Sequence, residues 1–152
     1  MKNKLLGTAV ILLCVSVCFT QTAGTTTVTV KKMEPLEVST RYVPTHAQTV
    51  WIHALEWCES RGKVTAINPK DNDNTPSYYS FQFKPSTFKG YALKYKLLKP
   101  EDLDTNEELM RHLPSYELQK SIVTEMLNDK TVKWQNQFPM CVTKKIGYPP
   151  RY

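Results

Sequence analysis

Four cysteines divide the chain into two parts with different fates. Cys14 and Cys18 lie in an apolar run, Leu5 to Phe19, that follows Lys2 and Lys4 and precedes the small or polar residues Thr20-Gln21-Thr22-Ala23-Gly24. A basic start, an apolar middle and a small-residue exit form the pattern of a secretory signal. The run is about 15 residues long, short of the roughly 18–20 that span a bilayer. Residues 1–24 are therefore expected to direct export, either cleaved near Ala23 or Gly24 or kept as a membrane anchor through residues 5–19. Lipidation at Cys18 is disfavoured because Val17 is bulkier than such signals normally tolerate. The expected location is outside the cell or at its wall. Export leaves Cys58 and Cys141 as an even pair in an oxidising compartment, which reads as one disulfide. The competing reading, two thiolates on a metal, lacks the His and Cys neighbours such a site requires. Closing a loop of this length stabilises by roughly 4–5 kcal/mol if chain entropy governs.

The 152 residues leave room for one ordinary domain behind the export segment. With 41% hydrophobic and 22% charged residues, that domain has the balance of a folded, soluble protein. Residues 25–44, TTTVTVKKMEPLEVSTRYVP, have little to bury and read as a Thr-rich tether, so the domain is expected over 45–152. Net charge is +6, and +4 once Lys2 and Lys4 leave with the signal. A modest positive field favours anionic partners such as wall polymers. No run of Lys or Arg is dense enough to single out nucleic acid, and membrane contact is expected only through an uncleaved N-terminal segment. A monomer is expected.

Thr45-His46-Ala47-Gln48 has the form of a capping box. Behind it, Ala47, Val50, Trp51, Ala54, Leu55 and Cys58 recur at helical spacing, and Arg61-Gly62 supplies a stop. A polar loop follows, then the alternation of Tyr78 to Phe83 suggests a short strand or hairpin arm. Pro85 opens a helix expected to run to about Leu98, and Thr105 and Ser115 are positioned to cap two more. A last short segment surrounds Trp134. The fold class is α+β, mainly helical, with a small β element and one disulfide.

Two carboxylates sit near the end of the first helix. At about 100° per residue from Ala47, the apolar stripe centres near about 10°, which puts Glu56 at roughly 180°, in solvent, and Glu59 at roughly 120°, on the rim of the buried face. Partial desolvation and the negative helix end both raise a carboxyl pKa there. A carboxyl held protonated near neutral pH suits a general acid for glycosidic cleavage. A salt bridge to Arg61 or Lys63 is the plainer alternative, and helix position alone favours it.

The surrounding residues change that balance. Cys58-Glu59-Ser60-x-Gly62, Ala66-Ile67-Asn68, Tyr78 to Phe83 with Thr87-Phe88, Glu117-Leu118-Gln119 and Trp134 to Cys141 stand in this order. The set resembles the resuscitation-promoting factor family, lysozyme-superfamily domains related to soluble lytic transglycosylases, over essentially the whole domain. The resemblance implies a lysozyme-like fold and an enzyme that cuts the β-1,4 bond between N-acetylmuramic acid and N-acetylglucosamine in peptidoglycan. It implies Glu59 as catalytic acid, a Cys58–Cys141 bridge, and Gln82 and Thr87 along the glycan groove with Asn68 beside it. Trp134 matches the family's late Trp, as fit for core as for cleft, and Tyr78 and Tyr79 offer faces on which sugars stack. The chain departs from the family at Ser80-Phe81, where glycines are usual, which puts the groove's width in doubt. The loop 69–77 and the stretch 98–114 are also longer than in the family's compact form.

A second carboxylate for hydrolysis would have to be Asp71 or Asp73, whose Asn- and Pro-rich loop reads as turn chemistry. A single-acid, lytic-transglycosylase cleavage is therefore expected over a hydrolytic muramidase or a wall-binding module that does not cut. His46, His53 and His112 are scattered, so no metal is expected, and no Gly-rich phosphate loop points to a cofactor.

Overall fold

Thr45 begins the first helix as the sequence predicts. Its hydroxyl accepts from the Gln48 backbone N–H at 3.3 Å, and Gln48 Oε1 accepts in return from the Thr45 N–H at 2.9 Å. The chain from here is a computed structural model that describes residues 42–71 and 73–151. The expected export segment and the tether up to residue 41 lie outside the described residues. Tyr42 already belongs to the domain: its N–H donates to Glu125 and its hydroxyl to Gln48.

In chain order the elements are α1 (His46–Ser60), β1 (Ile67–Asn68), β2 (Ser77–Tyr78), α2 (Pro85–Lys94), a 3-10 turn (Pro100–Leu103), α3 (Asn106–His112), α4 (Tyr116–Asn128), α5 (Trp134–Gln137) and α6 (Pro139–Lys144). The chain is thus rich in α-helix with one small antiparallel sheet, in which Ile67 pairs with Tyr78 and Asn68 with Ser77. Helix α1 packs on α4 and α6, and α2 packs on α3 and α4. Ile52, Leu55, Phe88, Leu118, Ile122 and Met126 form the fully buried centre. Cys58 and Cys141 are bonded, with Cα atoms 5.9 Å apart, and this ties α1 to α6. Among the described residues no helix is long and apolar enough to cross a membrane.

Three expectations need correction. The buried face of α1 is Gln48, Trp51, Ile52 and Leu55, while Ala47 and Val50 are exposed. Its centre therefore lies near about 90° on the same helical wheel, not about 10°. Gln48 is buried because its amide is satisfied: beyond the cap it accepts from Tyr42 and donates to the Pro150 carbonyl at 3.2 Å. The rotation brings Glu56 out of solvent. Its side chain is only 14% exposed and accepts from the Tyr116 hydroxyl at 3.2 Å.

Of the Tyr78–Phe83 segment, expected as a short strand or hairpin arm, only Tyr78 lies in a hairpin arm; beyond it the chain makes a tight turn that Phe83 closes by bridging back to Tyr78. Tyr78 and Phe83 exchange backbone hydrogen bonds of 3.0 and 3.1 Å, and residues 79–82 form the loop between them. Tyr79 and Gln82 both take left-handed backbone, at φ 65° and 51°. Such a conformation costs a non-glycine residue of order 1–3 kcal/mol. The Gln82 amide offsets it by donating to the Tyr79 carbonyl at 2.7 Å and the Ala66 carbonyl at 3.3 Å. Helix α2 stops at Lys94 and not at Leu98: Lys96 turns left-handed at φ 56°, and the Leu97 N–H folds back onto the Ala92 carbonyl.

Candidate functional site

With the buried face of α1 centred near about 90°, Glu59 at roughly 120° sits well inside it and not on its rim. It remains half-buried because it is the penultimate residue of α1 and opens into a cleft of about 540 Å³. No salt bridge or hydrogen bond joins it to Arg61 or Lys63 among the described residues. Burial raises the Glu59 pKa from 4.5 to about 7; the nearby Asp71 carboxylate adds to the rise and Lys145 opposes it. The side chain therefore holds its proton through the weakly acidic range and gives it up near neutrality.

Three segments build the rest of the cleft. The β-hairpin and its loop bring Asn68, Asp71, Asp73, Ser77 and Gln82. The start of α2 brings Lys84, Ser86 and Thr87. The α5–α6 corner, from Asn136 to Met140, completes the lining. The lining is mostly polar, with Phe83, Phe138, Pro139 and Met140 as its apolar part.

The structure thus brings Glu59, Asn68, Gln82 and Thr87 together, and does not bring Tyr79 or Trp134 to them. Tyr79 is half-buried against the core and ring-to-ring with Tyr78 at 5.8 Å. Trp134 is buried, edge-on to Trp51 at 4.9 Å and stacked on Phe138 at 6.0 Å. It backs the cleft residue Phe138 and lines a separate cleft of about 470 Å³ beside the C-terminal tail, which Trp51 Nε1 secures through Gly147. Gln82 lines the Glu59 cleft but spends its amide on the hairpin: Oε1 accepts from Ser77 at 3.1 Å and Nε2 donates to two carbonyls. Its contribution is to hold the wall in shape, with a remaining lone pair free to face the cleft.

Ser80 and Phe81 leave the groove alone. Both are buried, Phe81 completely, and neither lines the cleft. The Phe81 N–H donates to Gln119 Oε1 at 3.0 Å, and its ring stacks on Tyr116. The left-handed residues that a glycine would favour flank this pair, at Tyr79 and Gln82.

Asp71 and Asp73 line the cleft, and the turn chemistry expected of their loop is present, with Thr75 donating twice to Asp73 Oδ1. Lys84 Nζ lies 2.6 Å from Asp73 and 3.7 Å from Asp71. The Lys84 and Thr75 hydrogen bonds hold the Asp73 carboxyl well below the usual carboxylate range, so it stays ionised. The sequence resemblance covers Trp134 to Cys141 but assigns none of the corner residues 136–140 to the site, although a signal for it was present. Cys58 adjoins Glu59 and Cys141 adjoins Met140, so their bridge places that corner beside Glu59. Among the described residues no group of three or more His, Cys, Asp or Glu side chains is placed to hold a metal.

No protein-family model, curated protein or solved structure matches this chain.

Proposed function

We propose that this protein is an exported enzyme that cleaves the glycan strands of peptidoglycan, with a lysozyme-like fold and Glu59 as its acid. The observation that carries the reading is Glu59 itself: a half-buried carboxyl without an ion pair among the described residues, protonated up to about pH 7, in a cleft lined mostly by polar residues. A structural carboxyl at that depth is ordinarily paired, because burying it alone costs several kcal/mol on ionisation (of order 1.4 per pKa unit). A group that must give a proton to a glycosidic oxygen gains from the same isolation. The order of Cys58-Glu59, Asn68, Gln82, Thr87 and Cys141 along the chain supports peptidoglycan as the substrate.

In the version we favour, Glu59 protonates the leaving oxygen and then, as carboxylate, takes a proton from the muramoyl C6 hydroxyl as that oxygen closes onto C1. Bond broken and bond formed balance without water, and the product is a 1,6-anhydro sugar. Hydrolysis is the second reading, and the presence of Asp71 in the cleft favours it, since a second carboxyl group can steady an oxocarbenium-like state or direct water.

Zymography on peptidoglycan with wild type and Glu59→Gln side by side tests substrate and acid together. Lysis by wild type and a loss of at least about 100-fold in the variant is expected. Equal lysis by both would remove Glu59 from the chemistry, and binding without lysis would leave a wall-binding module. Muropeptide masses then separate anhydro products from products carrying a full water.

A further inference from the structure

Lys84 is the residue just before α2, and its chain reaches across to the β1–β2 loop. It meets two carboxylates there, Asp73 Oδ2 at 2.6 Å and Asp71 Oδ2 at 3.7 Å. The turn that carries them is internally tied. The Asn74 N–H donates to the Asp71 carbonyl at 2.8 Å, the Asp71 N–H to the Thr75 carbonyl at 3.2 Å, and Thr75 donates twice to Asp73 Oδ1. A turn so knit moves as a unit, and whatever grips Asp73 also sets where Asp71 stands. Exposed pairs of this kind contribute little to stability, so the value of the grip lies in geometry.

We propose that Lys84 is a positioning residue that clamps the Asp71–Thr75 turn to the start of α2 and so fixes the Asp71 carboxylate in the cleft with Glu59. The proposal rests on the reading of Glu59 as the acid of that cleft. The charged groups around Glu59 are Asp71 and Asp73 from the loop, Lys84 before α2 and Lys145 after α6. Glu56, on the same helix, is turned to Tyr116. Of these, Asp71 is the one that disfavours ionisation of Glu59, and Lys145 opposes it.

The sign of one measurement separates clamping from mere charge. Removing a cation from the cleft disfavours a carboxylate, so loss of the Lys84 charge alone would raise the pH at which Glu59 titrates. Releasing the turn lets Asp71 leave, which lowers it. In the full chain with ¹³C-labelled glutamate, the Glu59 carboxyl is assigned by its loss in Glu59→Gln and followed through pH in wild type, Lys84→Met, Lys84→Arg, Asp71→Asn and the Lys84→Met/Asp71→Asn pair. The expected result is a midpoint lowered by about half a pH unit or more in Lys84→Met, restored in Lys84→Arg, reproduced by Asp71→Asn and no lower in the double variant. A raised or unmoved midpoint in Lys84→Met, or a further drop in the double variant, overturns the proposal. Peptidoglycan lysis is read in parallel, and its alkaline limit should move down with the midpoint. Midpoints that move as expected while wild type lyses nothing would keep the clamp and discard the enzymatic reading.

Discussion

Replacing Glu59 with glutamine should stabilise the protein, and only on the alkaline side. The carboxyl titrates at about 7 in the folded chain and at 4.5 when unperturbed, with burial the largest cause. Below pH 4.5 both folded and unfolded chains carry the proton, so Glu59 contributes no penalty. As pH rises from 4.5 to about 7 the unfolded chain releases its proton first, and the folded state loses stability relative to it. Above pH 7 the loss is complete. At about 1.4 kcal/mol per pKa unit it amounts to about 3 kcal/mol. Glutamine matches the shape of the protonated acid and cannot ionise, so the variant escapes the loss. Urea unfolding with the disulfide intact should give nearly equal stability for both proteins at about pH 4. At about pH 8 the variant's midpoint should lie roughly 1–2 M higher at unchanged slope. An equal gain at both pH values would mean that the glutamine repacks the cleft and that ionisation is not the cause. No gain at pH 8 would mean that water or a cation already serves the carboxylate, and the case for a poised acid would fall with it.

Two further outcomes test the frame around the cleft. Reducing the Cys58–Cys141 bridge, which spans 83 positions, should lower stability by about 4 kcal/mol if chain entropy governs; thermal melts with and without reductant read this, and unchanged melts would show the bridge absent in solution. Gln119→Leu should cost about 2–4 kcal/mol in urea unfolding, because it orphans two fully shielded backbone groups, the Phe81 N–H at 3.0 Å and the Leu113 carbonyl at 2.7 Å; a loss under about 1 kcal/mol would show that the turn closes without that link.

Elements fixed by neighbours in sequence were legible. Thr45 with Gln48, Thr105 with Glu108, and Ser115 all cap as their side chains dictate, since a cap is a contact over three residues. The Cys58–Cys141 disulfide, expected from cysteine parity and an expected exported compartment, is present. What was misread depended on contacts far along the chain. The phase of α1 turned on Gln48, a polar residue buried only because Tyr42 and Pro150 complete its amide. The alternation of Tyr78 to Phe83 matched a strand, but the segment turns between those residues, and the buried Gln119 of α4, 38 positions away, takes the Phe81 N–H. Helix α2 was read too long because Lys96 accepts a left-handed backbone without a glycine to signal it. Motif order named Glu59, Asn68, Gln82 and Thr87, which line one cleft. Tyr79 and Trp134 do not line it, and sequence could not place them because an aromatic side chain serves core or cleft equally well and only packing decides between them.

The position of Glu59 in the last turn of α1 makes the bridge beside it more than a staple. A half-buried carboxyl without an ion pair has two ways to relieve its ionisation: it can keep its proton, or the helix end can fray and carry it into water. The final turn of a helix is where fraying is easiest. Arg61 and Gly62, both left-handed, already end the hydrogen-bonded ladder one residue later. Cys58 closes the second route, because its bond to Cys141 holds that turn against α6 and against the Asn136–Met140 corner of the cleft. Ionisation then cannot be relieved by a cheap local opening. The carboxyl is left with protonation as its remaining outlet, which is the condition in which it can serve as an acid near neutral pH.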